Sequence, residues 1–191
     1  MIIGLCGFIG AGKSTVAELI SDRFKSISFA DSLKDAISAV FGWDRAMLEG
    51  DTVEFREFRN TRDVWWSDRL QMDITPRFIM QNWGTELIRG HFHPDMWIAA
   101  VERKIFNLQG HNIVITDCRF LNEIEMLKRL GGKLIWVKRG NLPEWYDNYI
   151  TTGIPPTDVH NSEYLWVRNS FDLIIENDGD INDLCAKCAQ I

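Results

Sequence analysis

Short, almost continuous apolar runs alternate along this chain with stretches whose apolar residues recur three and four positions apart. The runs are "IIGLC", "SISFA", "NIVITD", "KLIWVKR" and "FDLIIEND". Each has the length of a strand and lacks a polar face, the pattern of a strand buried on both sides. Between and after them, "STVAELISDRF", "DSLKDAISAVFG", "TPRFIMQNWGTELIRGHF", "DMWIAAVERKIFNLQG", "LNEIEMLKRLGG" and "DINDLCAKCAQI" carry helical spacing. Asp31 suits the start of one helix and Gly42 its stop, while Thr75 can cap another with Pro76 at its first position. Strands alternating with helices predict an α/β fold: a five-stranded parallel sheet with helices on both faces, one domain over residues 1–191. Two segments break the pattern. Residues 43–75 mix charges with aromatics and are expected to be a helical substrate-side insertion. Residues 139–158 hold three prolines among turn residues and are expected to be a short lid.

The first apolar run ends in "GFIGAGKS". Gly7, Gly12, Lys13 and Ser14 match G-x-x-x-x-G-K-[ST], with a predicted strand before and a predicted helix after, the context this motif requires. Glycines let backbone N–H groups turn inward around a phosphate chain, and the helix start adds its positive end. The reading is a three-layer P-loop NTPase fold. Gly10, Ala11, Gly12, Lys13, Ser14 and Thr15 would hold ATP. Lys13 would act on the β- and γ-phosphates and Ser14 would ligate Mg²⁺. A signalling GTPase would need an Asn-Lys-x-Asp segment, which is missing. A remodelling ATPase usually carries Asp-Glu at a strand end, whereas Asp117 is followed by Cys118. A small kinase remains.

Its acceptor is read from the basic residues. A phosphate acceptor needs cations to hold it beside the donor. Lys34, Arg77, Arg119 and Arg139 fall at loop-facing places near strand or helix ends. Each alone is commonly a solvated charge, but four in an acidic chain point to a phosphate acceptor. Gln81 lies one helical turn beyond Arg77, and spacing alone leaves it either a base reader or an exposed polar residue. Glu123, one turn beyond Arg119, is either its ion-pair partner or an acceptor for a sugar hydroxyl. The tryptophans at 65, 66, 83 and 97 are core by default, with one or two available to stack on a base.

Composition narrows this further. The net charge of −6 argues against a nucleic-acid surface. No apolar stretch reaches the ~20 residues of a membrane span, and "MIIGLCGF" lacks the basic region of a signal peptide. The four cysteines include "CAKC" late in a predicted helix, which suits free thiols in a reducing cytoplasm rather than a zinc or redox site. His91 and His93 read as structural or incidental.

"FADSLKDAI", "ITPRFIMQNWGTELIR", "PDMW", "ITDCRFLNEIE", "HNSE" and "LIIENDGDINDL" together resemble the deoxynucleoside monophosphate kinases encoded by bacteriophages, over nearly the whole chain and in family order. The resemblance implies phosphoryl transfer from ATP to a dNMP, with Arg77 gripping the acceptor phosphate. It implies that Trp97, Asp117, Arg119 and Glu123 line the acceptor and phosphate region, with Asp117 joining Ser14 at the metal. Asn177 to Gly179 would lie near the adenine, and "HNSE" would follow the lid. Family members are often dimers, so a homodimer is expected, in the host cytoplasm for a phage-encoded chain. Two departures stand out. Ser32 replaces the proline common in "FADPLK", and the lid carries one arginine, Arg139, leaving Arg168 as the candidate to complete its charge. The runner-up is a kinase of a hydroxyl, such as dephospho-coenzyme A kinase, with Asp31 as base. A regulatory protein that only binds ATP is the alternative from another class.

Overall fold

A computed structural model describes residues 1–191. In chain order the elements are β1 (Ile2–Cys6), α1 (Lys13–Leu19), β2 (Phe24–Ile27), α2 (Asp31–Phe41), α3 (Val53–Asn60), α4 (Val64–Leu70) and α5 (Pro76–Gln81). A π-helical segment, Asn82–Phe92, continues α5. Then come α6 (Met96–Asn107), β3 (Asn112–Ile115), α7 (Leu121–Arg129), β4 (Lys133–Lys138), α8 (Tyr146–Thr152), α9 (Asn161–Tyr164), β5 (Leu173–Glu176) and α10 (Ile181–Cys188). The chain forms two compact units, one of residues 1–28 and 104–191, the other of residues 29–103.

The first unit holds the sheet. All five strands are parallel, in the order β2-β3-β1-β4-β5. Alternation along β1 sorts its two faces. Ile3 and Leu5 enter a core with Val16, Ala17 and Ile20 of α1 and Leu184 and Cys188 of α10. Gly4 turns to the other face, where a Cβ would stand 2.6 Å from both Cys118 Sγ and Leu127 Cδ2. Helices therefore cover both faces, as the buried strands require. β2 begins at Phe24 rather than at Ser26. α1 stops at Leu19, and pairing with β3 runs from Phe24 opposite Asn112 to Ile27 opposite Ile115. Buried Phe24 is the residue that the sheet claims from the expected helix.

The second unit is helical. In the region without a legible period, Thr52 Oγ1 accepts the Phe55 N–H at 3.1 Å to start α3, and Asp63 Oδ1 accepts the Trp66 N–H at 3.0 Å to start α4. α3 buries no residue fully, so its sequence shows no continuous apolar face. Phe41 anchors the aromatic packing: it stacks on Trp43 at 4.5 Å and tilts against Trp66 and Trp83 at 4.9 and 5.4 Å. Thr75 and Pro76 open α5 as the sequence predicts. The helix then widens to π geometry instead of staying regular. The buried Trp97 indole donates to the Gly84 carbonyl at 2.9 Å, and a Cβ on Gly84 would stand 2.7 Å from Leu33. π segments of this kind persist where tertiary contacts satisfy the displaced backbone groups.

His93 ends the π segment, and its Nδ1 accepts the Asp95 N–H at 3.0 Å, a structural use. The four cysteines are free thiols. No helix is long and apolar enough to cross a membrane.

Candidate active site

The glycine loop lies between β1 and α1 in the first unit. Gly7 has a φ of 154°, and a Cβ there would stand 2.4 Å from the backbone carbonyl oxygen of Val137 in β4. Gly12 takes a φ of 96° as the residue before α1, and its would-be Cβ collides with the Asn177 amide nitrogen at 2.4 Å. Neither place admits a side chain, so the loop is a cradle of bare backbone. Gly7→Ala is expected to lower Tm by roughly 5 °C or more, because a sheet backbone cannot yield to the added atom. It should also abolish the Tm increase expected of the wild type on adding ATP. Thermal unfolding with and without ATP measures both.

Lys13 curls back over this loop. Its Nζ donates to the carbonyls of Gly7 at 2.7 Å and Phe8 at 3.1 Å. Burial, and then the positive charge of Arg119, lower its pKa to about 8. A half-buried ammonium beside a guanidinium is a place that disfavours its own charge until an anion arrives. That is the electrostatics a polyphosphate needs. Ser14 is exposed at the loop's exit and Thr15 is half-buried.

Asp117 and Arg119 follow β3 at its C-terminal end, where open α/β sheets gather ligands. Asp117 is near enough to Lys13 to favour its charged form. Glu123 is 1 % exposed, and its Oε2 accepts the backbone N–H groups of Arg119 at 2.8 Å and Phe120 at 3.1 Å. This carboxylate thus closes the start of α7. The Arg119 guanidinium pairs elsewhere, with Glu163 Oε1 at 2.7 Å. The spacing of Arg119 and Glu123 brings them together, but through the arginine's backbone.

Arg139 is exposed just after β4, and the next residue, Gly140, donates its N–H to Asp178 at 2.7 Å. Arg168 is exposed, with its guanidinium carbon 5.7 Å from the centre of the Tyr149 ring. Asn177 is buried and bonded to the glycine loop, and Gly179 packs closely on the Asp183 carboxylate.

The second unit carries the remaining predicted residues. The Lys34 ammonium, itself largely buried, pairs with Glu49. Burial alone would raise the Glu49 carboxyl, but hydrogen bonds and charge from Lys34 and then Arg45 outweigh it and hold the group below the usual carboxylate range. Arg45 also binds Asp35 at 2.6 Å and approaches Asp31 at 3.7 Å. Arg77 is half-buried on α5 and its Nε donates to Asn60 at 2.6 Å. Gln81 is exposed one turn further on. Trp97 is buried, with its indole N–H given to Gly84.

Two partners escaped the sequence reading as site residues. Glu163 lies in "HNSE", whose position after the lid was its only cue. Glu49 sits four residues beyond Arg45, the spacing of a helical ion pair, inside a segment that otherwise showed no period.

A parallel sheet of this strand order, with a glycine loop leading from β1 into a helix that opens on Lys13, defines a P-loop nucleotide-binding enzyme. Residues 44–188 match the model of the deoxynucleotide monophosphate kinase family, and the chain belongs to that family. It is 32% identical to an Acanthamoeba polyphaga mimivirus protein provisionally named a deoxynucleotide monophosphate kinase, over 96% of this chain and 91% of the relative. It is 28% identical to the deoxynucleoside-5'-monophosphate kinase of Escherichia phage T5, over 67% of this chain and 72% of that protein. Among solved structures, a dephospho-CoA kinase from Campylobacter jejuni covers 99% of this chain, and 94% of its own, at 18% identity and a TM-score of 0.42, a likeness too loose to bear on function.

Proposed function

We propose that this protein transfers the γ-phosphoryl group of ATP to a deoxynucleoside 5'-monophosphate, giving a dNDP and ADP. The observation that carries the reading is Lys13, folded back on the glycine loop with Arg119 near it, in a chain of the deoxynucleotide monophosphate kinase family. Phosphoryl transfer asks little covalent chemistry of a protein. It asks for positioning and for positive charge where charge develops.

Gly10 to Thr15 bind the donor phosphates through backbone N–H groups. Lys13 moves from the loop carbonyls to the β- and γ-phosphates. Arg119, held at its backbone by Glu123 and at its guanidinium by Glu163, supports the transferring group, and Arg139 adds charge from the lid. Ser14 and Asp117 are the oxygen donors suited to Mg²⁺, one at the loop's exit and the other beside Lys13. Bound there, the ion would offset phosphate charge. Arg77 grips the acceptor phosphate, with Lys34, Gln81 and Trp97 serving or supporting the acceptor site. The chain works as one kinase domain with 43–75 as its substrate side and 139–158 as its lid. It is a homodimer with no nucleic-acid partner, acting in the cytoplasm, that of the host if a phage encodes it. A coupled ADP-release assay across dNMPs, NMPs and dephospho-coenzyme A tests the reading. Turnover confined to dephospho-coenzyme A, or none at all, would remove it.

Asp31 separates a phosphate acceptor from a hydroxyl acceptor. It is not the cap of α2, a place taken by Ala30, but its first helical residue, where an acid favours the helix start. Its carboxylate lies 3.7 Å from Arg45. Asn there loses the charge that faces Arg45 but keeps the side chain's shape and its accepting oxygen, whereas loss of a general base typically costs roughly 10²–10⁴-fold. Asp31→Asn is expected to keep kcat within about tenfold of wild type. A collapse of three orders of magnitude at unchanged Tm would instead make Asp31 a base and the acceptor an alcohol.

A further inference from the structure

The turn after β5 is built against the glycine loop. Asn177, 8 % exposed, donates its Nδ2 hydrogen to the Ala11 carbonyl at 2.9 Å. Its backbone N–H donates to the Lys138 carbonyl at 2.7 Å, carrying the β4–β5 pairing one residue past Glu176. The sheet thus fixes the residue's backbone, and the side chain is buried against the loop. Gly12 and Asn177 are a matched pair, since the amide nitrogen lies 2.4 Å from where a Cβ on Gly12 would stand. The next residue, Asp178, accepts the Gly140 N–H at the root of the lid.

The Ala11 carbonyl and the Gly12 N–H belong to one planar trans peptide, so they point in opposite directions. Holding the carbonyl at Asn177 aims the Gly12 N–H away from the β5 turn. We propose that Asn177 is a positioning residue for the donor triphosphate. Its amide sets the Ala11–Gly12 peptide so that the loop's N–H groups converge on phosphate, and it does not read the base. This rests on the assignment of the glycine loop to the donor nucleotide.

The test measures Kd for ATP and for inorganic tripolyphosphate, each with magnesium, and KM for the dNMP, in wild type, Asn177→Ala and Asn177→Asp. Loss of one buried hydrogen bond that shapes the loop should weaken ATP and tripolyphosphate by the same factor, about tenfold in the Ala variant. Asn177→Asp should lose more, because a carboxylate cannot donate to Ala11 and adds negative charge beside the phosphates. KM for the dNMP should stay within about twofold, which a general loosening of the fold would not allow. Asn177→Ser, which keeps a donor, covers the case in which the other variants do not fold, and is held to the same equality of the two factors. Weakened ATP with unchanged tripolyphosphate makes Asn177 a base reader and overturns the proposal. So does no change in either, or an equal loss for the dNMP. If wild type binds neither donor probe, the donor assignment itself fails.

Discussion

Lys13→Ala is expected to cut kcat by about 10²-fold or more while leaving the fold intact. The magnitude follows from when the ammonium acts. On the proposed reading it stabilises charge on the β- and γ-phosphates most as that charge shifts in the transition state, in a site where burial weakens competing solvent. Stability should not fall with it. In the folded protein the Lys13 charge is disfavoured by burial and by Arg119, so deleting it relieves an unfavourable interaction that offsets the hydrogen bonds lost to the Gly7 and Phe8 carbonyls. Alanine at the first residue of α1 also suits a helix. Steady-state kinetics paired with thermal unfolding should therefore show an inactive enzyme melting close to the wild-type temperature. Near-normal kcat would remove the glycine loop from the mechanism.

Arg77→Ala should raise KM for the dNMP by about 10²-fold and leave KM for ATP within a few-fold. Two charge-assisted hydrogen bonds to an acceptor phosphate, each worth roughly 1.5–3 kcal/mol, set that scale. The side chain is fixed at its base: Pro76 and Thr75 set the start of α5, and Asn60 of α3 accepts the Nε hydrogen at 2.6 Å. That bond orients the guanidinium plane. Arg77→Lys should recover only part of the loss, since a point charge replaces a two-pronged fork and the Asn60 bond goes too. Substrate-saturation curves for both substrates decide this, and an ATP loss as large as the dNMP loss would show that Arg77 serves the donor.

Much of this site is legible along the chain because its parts are contiguous. The glycines, Lys13 and Ser14 lie within eight residues, so the turn, the helix start and the cation follow from local chemistry. The strands are legible for a similar reason, since burial on both faces leaves no polar position to interrupt an apolar run. α3 and α4 were hidden because they are short and largely exposed, so no period marks them. The π widening after Gln81 was hidden as well; it goes with a tertiary contact, Trp97 donating to the Gly84 carbonyl from thirteen residues away, which no local pattern announces.

By itself the amino-acid order determined the parallel α/β layering and the glycine loop with its lysine at the start of α1, through periodicity and the conformations that glycine and proline allow. The tertiary structure decided who holds whom. Glu163 meets Arg119 across 44 residues and Asn177 meets Ala11 across 166. Glu123 accepts the backbone N–H of Arg119, the residue one turn away. A charge or an amide has no period, and many partners along a chain satisfy it equally well. Only the packing of the sheet and its helices brings one of them within hydrogen-bonding distance and buries the pair, where leaving either group unpaired would be costly.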